Sequence, residues 1–150
     1  MSIPDLDEQL RNEWRAQGFF YDRDDPSREW RLRGSRAGLL RFRDALVEYA
    51  SKPGSTQISE HEHFWPYGYL TIMTWSSAGM DGTTIHGSVD ELKGLAALIG
   101  ASLDKASPGA TVRICDEYVA GCEYSLVLSV QEDAFDPSTA DPGLNVGAAV

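Results

Sequence analysis

The chain has 150 residues, 42% of them apolar and 24% charged, with a formal net charge of −10. That suffices for one domain with its own core, burying roughly 70% of the surface its unfolded chain exposes. No apolar run approaches the roughly 20 residues of a membrane span, and the polar, acidic stretch from Met1 to Arg11 does not read as a secretory signal. The acidity argues against nucleic-acid binding, which needs phosphate neutralisation. Two cysteines, Cys115 and Cys122, are too few for a disulfide framework or a zinc ribbon. The expected compartment is the cytoplasm, with both thiols reduced. The charge is uneven: residues 1–50 carry 9 basic and 10 acidic side chains, residues 51–150 carry 4 and 13. Such an acidic surface either steers a basic partner or simply keeps the protein in solution.

Residues 3–17 read as an amphipathic helix, with Leu6, Leu10 and Trp14 on one stripe. Pro4 suits its first turn, Asp5, Asp7 and Glu8 suit the positive end of its dipole, and Gly18 suits its C-cap. Phe19-Phe20-Tyr21 is a short strand or a packed aromatic corner, and Asp22 to Arg28 is a turn.

The chain then repeats a pattern. Trp30-Arg31-Leu32-Arg33 alternates as a strand does, followed by Gly34-Ser35, a helical stretch to about Ala50, and Pro53-Gly54. Thr84-Ile85-His86 leads in the same way to Gly87-Ser88, a helical stretch to about Ala106, and Pro108-Gly109. The Gly-Ser pairs lie 53 residues apart and the Pro-Gly pairs 55 apart. Ser35 and Ser88 are N-caps, and Glu91 completes a capping box with Ser88. Leu39, Phe42, Leu46 and Tyr49 form one apolar stripe, and Leu92, Leu95, Ile99 and Leu103 the other. Two strand-like runs follow each helix, 56–64 and 67–75, then 110–119 and 122–131.

The predicted fold is therefore α+β in a single domain, 1–150. It comprises a helix over 3–17 and two tandem βαββ units, 28–76 and 82–131. The units form one mixed or antiparallel sheet with both helices on one face. Residues 133–150, rich in Asp, Pro, Gly and Ala, read as a surface extension.

The densest chemistry is Glu60-His61-Glu62-His63-Phe64-Trp65-Pro66-Tyr67. On a strand, His61 and His63 share one face and Glu60 and Glu62 the other. Two imidazoles at i and i+2 can hold one metal ion, but a stable site needs a third ligand. His86 is the one remaining histidine, and the alternative is a polar strand face that binds nothing. The pair beside carboxylates also suits acid–base work, though no nucleophile motif accompanies it. Trp65-Pro66-Tyr67-Gly68 reads as a turn whose aromatic rings either anchor a partner or pack on the sheet. Nine of the ten arginines lie at or before Arg43, among enough carboxylates to favour internal ion pairs over phosphate binding. A two-residue turn at Ala120-Gly121 would set Cys115 opposite Leu126 and Val119 opposite Cys122, so no disulfide is expected. Neither a phosphate loop, nor a Gly-x-Ser-x-Gly elbow, nor a His-Glu-x-x-His helix is present.

The pattern Trp30-Arg-Leu-Arg-Gly34-Ser35-Arg-Ala-Gly38-Leu39-Leu40, then Glu60-His-Glu-His63-x-x-Pro66-Tyr67-x-Tyr69-Leu70, then Phe135-Asp136-Pro137, resembles small bacterial immunity proteins of polymorphic-toxin systems, of the Rhs or contact-dependent kind. The resemblance covers about residues 30–137. It implies a non-catalytic, cofactor-free cytoplasmic protein that covers a cognate toxin's active site or jams its assembly. A toxin with a basic cleft would meet an acidic partner quickly. On this reading Glu60, Glu62, Trp65 and Tyr67 are the contact residues, and neither nucleic acid nor membrane is a partner. The alternatives are a metal-binding protein or small enzyme using His61 and His63, and a homo-oligomeric module whose open sheet face pairs with itself.

Overall fold

Tertiary order comes from helix stripes closing over two small sheets, in a computed structural model that describes residues 3–145. Helix α1 spans Ile3–Gln17 and stops where Gly18, at φ +93°, donates its N–H to the Trp14 carbonyl at 3.0 Å. Its stripe is shorter than the spacing predicts. Trp14 is fully buried and Leu10 half-buried, whereas Leu6 is 51% exposed. The helix is anchored through its second half, where the Trp14 ring meets Phe20 and Tyr21 at 4.8 and 5.5 Å between centroids.

Strands β1 (Phe19–Asp24) and β2 (Glu29–Ser35) form an antiparallel hairpin, so the aromatic segment is a strand. Helix α2 (Arg36–Ser51) begins at Ser35, whose hydroxyl accepts from the Gly38 N–H at 3.0 Å. Gly38 is required there for close approach: a Cβ would stand 2.0 Å from the Gly18 carbonyl oxygen. After β3 (His61–His63), β4 (Thr71–Thr74), β5 (Gly79–Met80) and β6 (Thr84–Gly87) comes α3 (Val89–Asp104), opened by the Ser88–Glu91 capping box. Strands β7 (Thr111–Ile114) and β8 (Ser125–Gln131) follow, then a 3-10 turn at Pro137–Ala140 and a short helix, α4 (Pro142–Asn145). Leu39, Phe42, Leu46 and Tyr49 of α2 and Leu92, Leu95, Ile99 and Leu103 of α3 are all buried. Each such side chain stabilises the fold by about 1.5–3 kcal/mol.

The single sheet of the sequence reading is corrected to two mixed four-stranded sheets, ordered β1-β2-β8-β7 and β3-β4-β6-β5. The cause is the crossovers. Helix α2 leaves β2 in the first sheet and delivers the chain to β3 in the second, and α3 carries it from β6 in the second back to β7 in the first. Each sheet holds one parallel pair that joins the two halves of the chain, β2 with β8 and β4 with β6. The sheets meet where Tyr124 donates its N–H to the Met80 carbonyl at 3.0 Å and Trp30 donates its indole N–H to the Asp81 carbonyl at 2.7 Å.

Two further expectations are corrected. Residues 115–124 form a loop longer than a two-residue turn, folded back so that the Tyr118 and Val119 N–H groups both reach the Cys115 carbonyl, at 3.0 and 3.1 Å. This brings Cys115 and Cys122 to a Cα separation of 5.8 Å, and they form a disulfide rather than two free thiols. Residues 133–145 also do more than extend over the surface. Asp141 accepts from the buried Trp14 indole at 2.9 Å, and Pro137, Ser138 and Leu144 are buried beside it. Residues 146–150 of the predicted extension lie outside the described residues. No helix among the described residues is long and apolar enough to cross a membrane.

Candidate functional site

The β3–β4 hairpin carries the chemistry singled out in the sequence. Its register sets His61 opposite Met73, Glu62 opposite Ile72 and His63 opposite Thr71. Ile72 is buried beneath the helices, so the Glu62 face looks inward and the His61–His63 face outward. The connection 64–70 contains a cis Trp65–Pro66 bond and two consecutive left-handed residues, Tyr67 (φ 72°) and Gly68 (φ 77°). Tyr21 supports this loop from below. Its hydroxyl lies 2.8 Å from the Phe64 carbonyl and 2.5 Å from that of Pro66, and it accepts the Gly68 N–H at 3.2 Å. Burial pushes the Tyr21 hydroxyl pKa well above its ordinary value, which keeps it a donor.

On that support the aromatic residues divide. Phe64 turns inward against Phe42 and Phe19, at centroid distances of 5.1 and 5.9 Å. Trp65, Tyr67 and Tyr69 remain 65%, 50% and 41% exposed. Tyr67 and Tyr69 stack at 6.1 Å, and Tyr69 stacks in turn on the buried Trp30 at 6.2 Å. The Tyr67 hydroxyl donates to the Asp141 carboxylate at 2.6 Å, and burial together with that neighbour raises its pKa. Tyr67 and Tyr69 are thus held in place rather than freely rotating.

Glu60 is exposed, and Glu62 is half-buried and ion-paired with Lys52. A cleft of about 170 Å³ opens between the hairpin and the helices, walled by Glu62, His63, Phe64, Trp65, Ile72, Ala45 and Gln17. The histidine rings stand 5.3 Å apart. His86 is not beside them. It sits on β6 in register with Met73, one strand beyond β4, with its Nδ1 bound to the Ser77 carbonyl at 2.9 Å and its Nε2 3.8 Å from the Asp81 carboxylate. Among the described residues, the one group of three Cys, His or acidic ligands within reach of a common ion is Cys115, Asp116 and Cys122, whose sulfurs are tied to each other.

The early arginines meet carboxylates, as the composition predicts: Arg15 with Asp136, Arg23 with Asp25, and Arg31 with Asp24 and Glu29. Sequence reading missed the roles of Tyr21 and Asp141. Each acts across a register or a tertiary contact that local spacing does not encode. Comparison of the chain with protein-family models, with curated proteins and with solved structures finds no match.

Proposed function

We propose that the protein is a non-catalytic binding protein of the toxin-immunity kind, acting by direct association with a cognate basic protein through the β3–β4 hairpin. The observation that supports this reading most is the set of exposed rings, Trp65, Tyr67 and Tyr69, of which Tyr67 and Tyr69 are held in place by each other, by Trp30 and by Asp141. Large aromatic side chains ordered before binding lose little entropy on association and make effective anchors. The cleft beside Trp65 suits one long cationic side chain, with the Glu62 carboxylate at its wall and the indole at its mouth. Glu60 and the net charge of −10 add steering toward a basic surface. The same reading treats the tandem units, 28–76 and 82–131, each with the strand that precedes it, as two copies of one unit. Its support is the strand order, in which β1-β2-β8-β7 and β5-β6-β4-β3 run through equivalent positions.

The test is co-expression. A protein captured by this chain at one-to-one stoichiometry should arrest growth when expressed alone, and this chain should relieve the arrest. Trp65→Ala and Tyr67→Ala should weaken the complex, and Glu60→Lys with Glu62→Lys should slow its formation and reduce its salt dependence. Undiminished binding by all three variants, or an arrest that this chain does not relieve, would count against the reading.

A further inference from the structure

We infer that His61, His63 and Met73 form a three-ligand site for monovalent copper on the outer face of the β3–β4 hairpin. This inference stands apart from the partner-binding reading. It starts from the two imidazoles. The His61 Nδ1 lies 3.0 Å from the Ser59 carbonyl, and the His63 Nδ1 lies 2.8 Å from the Gly68 carbonyl and 3.0 Å from the Thr71 hydroxyl. A carbonyl oxygen only accepts, so both Nδ1 atoms carry the proton and both Nε2 atoms keep a lone pair. Anchoring one ring nitrogen on a backbone carbonyl while the other binds metal is the usual support of a ligating histidine. The ring centroids are 5.3 Å apart. Two imidazoles bound through nitrogen at about 2.0–2.1 Å to one ion have centroids about 5 Å apart.

The third ligand comes from the register. Phe64 donates its N–H to the Leu70 carbonyl at 2.9 Å, and Thr74 donates to the Glu60 carbonyl at 2.8 Å. Alternation along an antiparallel ladder then makes His61 and Met73 a non-hydrogen-bonded pair, the closer kind, with Cα atoms about 4.5 Å apart. Met73 shares the outward face with both histidines and is half-buried, and its unbranched side chain also covers the diagonal distance to His63, about 7–8 Å. His86 is the cross-strand neighbour of Met73 on β6, but its ring is turned away from the site. Its ring lies over Gly79, where a Cβ would meet it at 2.7 Å, and it is directed toward Asp81.

Two neutral nitrogens and a thioether define the metal. Thioether sulfur is a poor ligand for zinc, calcium or magnesium and a good one for Cu(I). The set carries no charge, which suits a monovalent ion.

The experiment is a competition for Cu(I) supplied as its bicinchoninate complex without oxygen. It uses the full chain, with the Cys115→Ser/Cys122→Ser variant in parallel so that thiols play no part. One Cu(I) per chain is expected in both, with copper–sulfur scattering in X-ray absorption. His61→Ala and His63→Ala should each weaken binding at least about 100-fold, and Met73→Leu about tenfold with loss of the sulfur signal. The histidines are exposed, so circular dichroism and thermal melting should be unchanged for their variants. Copper that stays on bicinchoninate overturns the site, as does binding that survives loss of both histidines. A sulfur signal that persists in Met73→Leu overturns the assignment of the third ligand.

Discussion

The β3–β4 and β7–β8 hairpins hold equivalent places in the strand order, each with one edge strand and one strand paired in parallel to the other half of the chain. They differ in what they bury and what they close. Strand β8 is seven residues long, with Leu126, Val127, Leu128 and Val130 all buried. The loop before it is tied by the Cys115–Cys122 disulfide and by the Tyr118 and Tyr124 hydroxyls, which donate to the His86 carbonyl and the Asp25 carboxylate at 2.5 and 2.7 Å. Strand β3 is three residues long, turns two histidines outward, and precedes a loop with three exposed aromatic rings. Strand β8 joins the halves of the molecule over seven residue pairs with β2, and β4 over four with β6. The shorter β4–β6 ladder goes with a hairpin whose histidine and aromatic side chains stay exposed.

The contrast is sharpest in the core. Leu128→Ala should lower stability by about 2–5 kcal/mol, as a buried truncation does, while Trp65→Ala should stay within about 0.5 kcal/mol. Urea unfolding of both variants measures this, and equal losses would erase the distinction between the hairpins. Next in size is the disulfide. It closes a span of seven residues, worth about 2 kcal/mol in the chain-entropy account. Replacing both cysteines by serine should cost that much and abolish the dependence of the unfolding midpoint on added reductant. An unchanged midpoint would mean that the tyrosine bonds alone close the loop. Tyr21→Phe should follow at about 1–2 kcal/mol, because it removes the donor facing the Phe64 and Pro66 carbonyls. Hydrogen exchange should also quicken at the Gly68 amide, and an unaltered rate there would show that the loop keeps its shape without that support.

What the sequence made legible was local. Ser35, Ser88 and Glu91 cap helices because a hydroxyl and a carboxylate three residues apart suffice, and all eight stripe residues of α2 and α3 are buried because helical periodicity needs no distant partner. The division into two sheets was not legible, since nothing in β2 specifies that β8 rather than β3 lies beside it. The disulfide was hidden for a related reason: Ala120-Gly121 looks like a tight turn, and only the fold-back at Cys115 lengthens it. In the hairpin the histidine face was legible from alternation, but Met73 entered only through register, and Tyr21 and Asp141 only through packing over 43 and 74 residues of separation.

The smallest expected effect tests the electrostatics of the same contrast. Glu29 is buried at the start of β2 and reaches Arg31 on its own strand and Arg113 on β7, spanning β8. Burial pushes its carboxyl pKa up, but the hydrogen bonds from Arg31 and Arg113 outweigh this and hold it below the ordinary glutamate value. A depressed carboxyl contributes stability that is present above the unfolded value of about 4.3 and is lost as pH falls through the folded value. The urea midpoint should therefore drop between about pH 4 and lower pH, and Glu29→Gln should lower the midpoint at pH 7 while shrinking that drop. Because both arginines are substantially exposed, water and salt screen the contribution. Glu62 in the other hairpin meets Lys52 with both partners exposed to solvent, and such pairs contribute about 0–1 kcal/mol. Glu62→Gln should thus change the urea midpoint at pH 7 by less than Glu29→Gln does. Equal losses in the two variants would show that the arginine pair on β2 and β7 does nothing that a surface lysine does not.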